Sequence, residues 1–228
     1  FGLFNNDCLW VVDEVQLMDV GLATTAQLQA FRRKLGTLGV TETLWMSATA
    51  DPAWLKTVDV DLALDVPKVW LLEKDDYADE EIDRRYRAPK PTSPAGARMD
   101  DASRLADEIV SAHPGRGART LVVVNTVGRA LALHDALSKR RPAADLIVIH
   151  SRFRPEDRQR AVADLLRAPG DGGMICVTTQ VVEAGIDISA NVLFTELAPW
   201  PSLVQRFGRC NRRGELVSGI VRWIDAPK

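Results

Sequence analysis

Cysteine is scarce in this chain and badly placed for cross-linking. Cys8, Cys176 and Cys210 lie far apart in 228 residues, are odd in number and form no C-x-x-C pair. That pattern excludes a disulfide framework and suggests no zinc site. Cys8 and Cys176 fall in apolar runs and read as small core residues, and reduced thiols fit a cytoplasmic location. Long hydrophobic runs are missing as well. Nothing approaches the ~18 uninterrupted apolar residues of a membrane span. The first seven residues also lack the basic start and long apolar run of a secretory signal. Nor does one sign of charge dominate: Lys plus Arg number 29 and Asp plus Glu 31, a net charge of −2. Bulk basicity therefore gives no argument for nucleic acid, and any such binding must rest on local patches. Internal repeats and low-complexity stretches are absent.

What is present belongs to a globular protein. With 46% hydrophobic and 26% charged residues, disorder and collagen-like repeats are excluded. The length allows one or two domains and burial of roughly 70% of the unfolded surface. Because the chain opens without Met, in the middle of patterned sequence, it reads as a fragment.

Short apolar runs recur with helical stretches between them. They occupy residues 9–12, 43–46, 121–124, 146–149, 174–177, 192–194 and 220–223. Runs that are apolar on both faces predict parallel sheets covered by helices on both sides. Ligands of such sheets gather at the carboxyl ends of the strands. Polar residues fall there: Asp13-Glu14, Ser47-Ala48-Thr49, Asn125-Thr126, His150-Ser151 and Thr178-Thr179-Gln180.

A boundary interrupts the pattern. Residues 73–83 hold seven acidic side chains and one lysine, followed by Arg84, Arg85 and Arg87 and then by Pro89, Pro91 and Pro94. The i,i+4 pairs Glu80–Arg84 and Glu81–Arg85 predict a short solvated helix before a Pro-rich linker. The organisation expected is residues 1–73 as the C-terminal part of a first α/β domain, 74–99 as linker and 100–228 as a second domain. A helix over residues 102–112 opens that second domain, which has five candidate strands. The first part has too few strands for a complete doubly wound domain.

Two segments carry chemistry of their own. Asp13 and Glu14 follow a buried strand, where phosphoryl transfer would use one carboxylate to hold Mg²⁺ and another group to orient or deprotonate water. An acidic pair opening a helix, favoured by the helix dipole, is the other reading. Near the C-terminus, Gln205-Arg206-Phe207-Gly208-Arg209-Cys210-Asn211-Arg212-Arg213-Gly214 has four arginines in eight residues, with Glu215 as the nearby carboxylate. Were the segment helical, Arg209 and Arg212 would share a face. Paired guanidinium forks suit a γ-phosphate in the transition state. A solvated basic helix, or one that touches only nucleic-acid backbone, is the alternative.

The order of the segments narrows the choice. Asp13-Glu14, Ser47-Ala48-Thr49, Thr178-Thr179 through Glu183-Ala184-Gly185-Ile186-Asp187, and Gln205 with Arg209 and Arg212 succeed one another across two α/β units. This resembles motifs II, III, V and VI of the superfamily 2 helicases. Residues 150–158 (His-Ser-Arg-Phe-Arg-Pro-Glu-Asp-Arg), Thr179-Gln180-Val181-Val182-Glu183 and residues 197–206 (Leu-Ala-Pro-Trp-Pro-Ser-Leu-Val-Gln-Arg) are similar to the CRISPR-associated helicase of type I interference systems. Motif II usually reads D-E-V-H there, whereas this chain has Asp13-Glu14-Val15-Gln16.

The resemblance implies an α/β fold of two RecA-like parallel-sheet units, the first incomplete, in a P-loop NTPase helicase architecture. It implies ATP and Mg²⁺ as cofactors, with Asp13 holding the Mg²⁺ through water and Glu14 as catalytic glutamate. Gln205, Arg209 and Arg212 would face the γ-phosphate, the two arginines as fingers, while Gly185 and Asp187 approach the ribose. Ser47 and Thr49 would link the ATP site to the nucleic-acid track. Asn125, Thr126, Ser151, Thr178 and Thr179 would meet the phosphodiester backbone. The implied activity is ATP-dependent translocation or unwinding on single-stranded DNA in CRISPR antiviral interference, with an RNA-guided surveillance complex as partner and no membrane.

The family's G-x-x-x-x-G-K-[ST] loop does not occur in this sequence. The chain is therefore expected to be a motor-core segment inactive by itself. His134-Asp135 is an HD dipeptide, but it lies in an apolar-periodic stretch with no second ligand pair nearby, so no nuclease is expected here. Two other functions stay open: an RNA helicase of the same superfamily, and a non-catalytic nucleic-acid-binding module that keeps the fold.

Overall fold

The computed structural model describes residues 5–49, 51–58, 60 and 68–225. The chain divides into two compact units, Phe1–Leu72 and Glu73–Lys228.

In the first unit, β1 (Cys8–Val12) and β2 (Thr41–Trp45) pair in parallel, Val12 opposite Trp45, and α1 (Val20–Leu35) connects them. The helix meets the sheet through a polar stripe: Thr25, Gln29 and Arg32, spaced one helical turn apart, lie on one face. The Trp45 indole donates to Thr25 Oγ1 at 2.9 Å, and Thr43 Oγ1 donates to Gln29 Oε1 at 2.9 Å. Arg32 donates to Thr43 Oγ1 at 3.2 Å, with its guanidinium 5.2 Å from the Trp10 ring centroid. Leu9 and Val11, which alternate with the covered positions, are exposed. The expected cover on both faces is thus absent from this sheet among the described residues.

The second unit is a six-stranded, wholly parallel sheet in the order β3-β8-β7-β4-β6-β5. Its strands are β3 (Thr92–Pro94), β4 (Arg119–Val123), β5 (Asp145–Ile149), β6 (Met174–Thr178), β7 (Val192–Glu196) and β8 (Ile220–Ile224). The two-residue period of a strand sorts its side chains onto two cores. Val122, Ile175, Val177, Val192 and Phe194 pack under α3 (Ala102–Ala112) and α4 (Val127–Arg140). Leu121, Val123, Cys176 and Leu193 face the other way, toward Leu165 of α5 (Pro155–Leu166) and toward Val182, Ile186 and Ile188. Every residue of β6 and β7 is buried, as the continuous apolar runs require.

Two expectations need correction. Residues 74–99 are not a linker outside the folded units; they belong to the second one. They form α2 (Glu80–Arg87) and then β3, whose Thr92, Ser93 and Pro94 pair with Val221, Arg222 and Trp223. A proline-rich segment favours extended backbone, and a sheet edge accepts proline because one side of that strand needs no donor. The pair Glu81–Arg85 forms on α2, and so does Asp83–Arg87, but Arg84 turns away from Glu80 toward another loop.

Candidate functional site

At the carboxyl end of β1 the chain turns sharply. Met46 N–H donates to Val12 C=O at 2.8 Å and Val15 N–H to Met46 C=O at 3.2 Å, which seats the Asp13-Glu14 turn directly beside the end of β2. Glu14 stands at φ 52°, ψ 48°, left-handed backbone that a non-glycine residue adopts at a cost of about 1–2 kcal/mol. Asp13 Oδ1 accepts the Glu14 N–H at 2.9 Å and steadies the turn. Gln16 then spans two motifs. Its Nε2 donates to Glu14 Oε2 at 2.5 Å, and its Oε1 accepts from Ser47 Oγ at 2.6 Å. Thr49 N–H donates to the same Ser47 oxygen at 3.0 Å. The fourth residue of the D-E-V-Q run therefore links the glutamate to the Ser47–Thr49 turn. Asp13 is exposed and offers a hard oxygen donor, which suits Mg²⁺ held largely by water and phosphate oxygens.

In the second unit, β4, β6 and β5 are neighbours, so Asn125, Thr126, Thr178, Thr179, His150 and Ser151 share one edge of the sheet. Within that edge their situations differ. Thr126 is exposed and caps α4, its Oγ1 accepting from Arg129 N–H at 3.3 Å, and Ser151 is also exposed. Thr178 is fully buried and donates to the Thr179 carbonyl at 3.2 Å. Thr179 is almost as deep, and its Oγ1 has no hydrogen-bond partner among the described residues. Asn125 is committed to the protein: its amide donates to Leu197 C=O at 2.7 Å and its Oδ1 accepts from Arg206 at 3.0 Å.

Arg206 is the centre of this arrangement, and sequence reasoning did not place it in the site. It is 1% exposed. Its Nε meets Glu183 Oε1 at 2.7 Å, while its Nη1 donates to Glu196 C=O at 2.9 Å and Thr195 Oγ1 at 3.3 Å. Glu196, wholly buried at the end of β7, accepts the Asn125 N–H at 2.7 Å and pairs with Arg129. Three separate stretches of sequence thus close around one guanidinium. The surplus of arginine over local carboxylate was a signal for Arg206, but spacing held none for Glu183, Glu196 and Arg129 as its companions.

The arginine-rich segment is not one helix. The last helix, α6 (Trp200–Phe207), stops at Gly208, and Cys210 makes a parallel bridge with Ala190. Asn211 takes φ 44° and turns the chain outward. Arg209 and Arg212 therefore do not share a face. Arg209 is 4% exposed and donates to Val182 C=O at 2.9 Å and Glu183 C=O at 2.7 Å. Arg212 is exposed and meets Asp187 Oδ1 at 2.8 Å, with Arg213 on Oδ2 at 3.2 Å. Burial by itself would raise the Asp187 carboxyl, but Arg212 and Arg213 hold it below the ordinary carboxylate range. Gly185, at φ 73°, gives the turn that leads to Asp187. Asp187 borders an open cavity of about 340 Å³ that Arg119, Ser189, Asn191 and Arg213 also line. Gln205 lies half-buried on α6.

Among the described residues, no group of three or more His, Cys, Asp or Glu is placed to hold a metal ion, and no helix is long and apolar enough to cross a membrane.

By fold the chain is of the RecA-like α/β class that helicases are built on. It superimposes on the crystal structure of T. fusca Cas3 with ADP at a TM-score of 0.69 and 20% identity, over 96% of this chain and 30% of that one. The more particular likeness is to the Cas3 helicases of CRISPR systems: residues 116–215 match the family model described as CRISPR-associated nuclease/helicase Cas3, C-terminal. The Cas3 nuclease/helicase of Myxococcus xanthus is 43% identical over 43% of this chain and 13% of its own length. The Cas3 endonuclease/helicase of Thermus thermophilus is 27% identical over 93% of this chain and 28% of its own length. The chain thus spans less than a third of the length of the curated relatives it matches.

Proposed function

We propose that this chain forms part of an ATP-driven translocase or helicase that acts on single-stranded DNA in CRISPR type I interference. The observation that carries the proposal is the Glu14–Gln16–Ser47 relay at the ends of β1 and β2. A glutamate held in costly left-handed backbone and linked through Gln16 to a second motif is built for more than capping a turn. Glu14 orients or deprotonates the attacking water, and Asp13 would hold Mg²⁺ through its water shell. That ion would neutralise charge on the β- and γ-phosphates. Arg212 is the accessible cation toward the γ-phosphate. Arg209 acts from its buried seat by fixing the Val182–Glu183 carbonyls beside it, with Gln205 preceding both. Gly185 and Asp187 serve the ribose side.

Ser151, Thr126 and Ser47 with Thr49 present hydroxyls and amides to the sugar-phosphate backbone, contacts that suit a motor indifferent to sequence. An RNA-guided surveillance complex is the partner that such a motor would serve. The isolated chain, without the phosphate-binding loop sequence, has little ATPase activity of its own.

The test uses a protein in which this sequence is joined to such a loop. Glu14→Gln keeps the size and hydrogen bonding of the side chain but cannot take a proton. ATP binding is expected to persist while DNA-stimulated turnover falls by about 10²–10⁴-fold. Turnover near the parent rate would refute the assignment. Stimulation by RNA and not by DNA would shift the substrate to RNA.

A further inference from the structure

The arginine loop is held at both ends by the segment that the sequence suggested was a linker. At one end, Arg84 Nε donates to Arg213 C=O at 3.0 Å. Gly214 lies so close that a Cβ there would collide with the Arg84 carbonyl and come within 2.8 Å of its Cγ, and its φ of 65° is one that only glycine adopts freely. At the other end, Pro89 C=O accepts twice, from Asn211 Nδ2 at 3.3 Å and from Gly219 N–H at 2.9 Å. Lys90, half-buried between these contacts, lies within electrostatic reach of Cys210, Arg212 and Glu215; burial lowers its ammonium below the ordinary value. Inside the loop, Asn211 Oδ1 accepts Leu216 N–H at 3.0 Å and Glu215 accepts Arg213 N–H at 3.0 Å. The fixed points of the loop are therefore backbone groups and the Asn211 and Glu215 side chains, and they leave the Arg212 and Arg213 side chains aimed at Asp187.

We propose that residues 84–91 are a clasp that sets the position of the arginine loop, with Arg84 and Gly214 as positioning residues for Arg212. α2 has the sequence for this role. Glu81 and Asp83 occupy Arg85 and Arg87, while Arg84 alone among these neighbours is spent on the loop. A displacement of residues 84–91 would thereby reach the loop that carries Arg212. This rests on the reading of Arg212 as a γ-phosphate residue.

The experiment compares Arg84→Met, Arg84→Lys and Gly214→Ala in the ATPase-competent protein, with hydrogen exchange measured on the peptide over residues 211–216. A lost backbone-directed hydrogen bond is worth a factor of about 2–10. Arg84→Met is therefore expected to lower kcat by that factor with the KM for ATP unchanged. Arg84→Lys, which can still donate to the Arg213 carbonyl, is expected to restore it. Gly214→Ala, which meets both the contact and the strained φ, is expected to lower kcat by at least tenfold, a figure on the order of the left-handed backbone cost. Exchange over 211–216 should quicken in Arg84→Met while β7 and β8 stay protected. Unchanged kcat in both Arg84→Met and Gly214→Ala overturns the proposal, as does a raised KM with kcat intact. If Arg212→Ala itself leaves kcat untouched, the phosphate reading has failed. Exchange then decides the clasp alone: faster exchange over 211–216 in Arg84→Met upholds it, and unchanged exchange overturns it.

Discussion

Replacing Arg206 by Met is the most informative perturbation of the second unit. Methionine is unbranched and apolar and follows the path of the arginine stem, so the packing of the stem is kept while the guanidinium and its charge vanish. Left behind is the Glu183 carboxylate, 5% exposed, with its ion-pair partner at 2.7 Å removed. Asn125 Oδ1, Thr195 Oγ1 and the Glu196 carbonyl each lose a donor as well. Breaking one side of a buried pair costs about 3–5 kcal/mol, chiefly because the remaining charge stays desolvated. At roughly 2–4 °C per kcal/mol for a unit of this size, the midpoint of thermal unfolding should fall by about 10 °C. Urea unfolding followed by circular dichroism gives the same quantity as a shift in midpoint at constant slope. The companion variant Glu183→Leu with Arg206→Met removes both charges and should recover most of the loss, since apolar replacement of a buried pair is often close to neutral. If Arg206→Met alone unfolds within about 1 kcal/mol of the parent, the cluster is not an obligate buried pair, and the account of Arg206 as the tie between Asn125, Glu183 and Glu196 is wrong.

Two further outcomes are expected. In the ATPase-competent protein, Arg212→Ala should lower the rate at saturating ATP and DNA by about 10³-fold, the lower range for arginines that act on transferred phosphate, with ATP affinity nearly kept. A loss under about threefold, together with weaker and more salt-sensitive DNA binding, would make Arg212 a nucleic-acid contact only. Thiol labelling at neutral pH should reach the half-buried Cys8 alone. Burial pushes Cys176 up to about 12 and Cys210 up to about 11, so neither supplies thiolate until the second unit unfolds; rapid native labelling of Cys176 would contradict its place between β4 and β5.

Local pattern alone determined much of this protein. Continuous apolar runs such as Leu121 to Val124 and Met174 to Val177 can only be buried strands, and their spacing by helical stretches already requires a parallel sheet. The helix at Ala102–Ala112 follows from its apolar period and from Asp101, whose side chain caps Arg104 N–H at 3.0 Å. The polar residues at strand ends and the order of Asp13-Glu14, Ser47–Thr49, Thr178–Asp187 and Gln205–Arg212 were equally legible, because each is a short run whose meaning depends on neighbours in sequence. What only the tertiary structure decided is which charge meets which. Arg206 and Glu183 are 23 residues apart, Arg129 and Glu196 are 67 apart, and Arg84 reaches Arg213 across 129. No periodicity encodes such pairings; they arise when parallel strands bring their carboxyl ends to one edge and a helix ends early. The same cause buried Arg209 while leaving Arg212 in solvent. A bridge from Cys210 to Ala190 and a left-handed Asn211 broke the helical spacing that would have put both on one face. It also drew Thr92–Pro94 into the sheet and Arg84 and Pro89 onto the arginine loop, because the extended backbone that proline favours found an open edge beside β8.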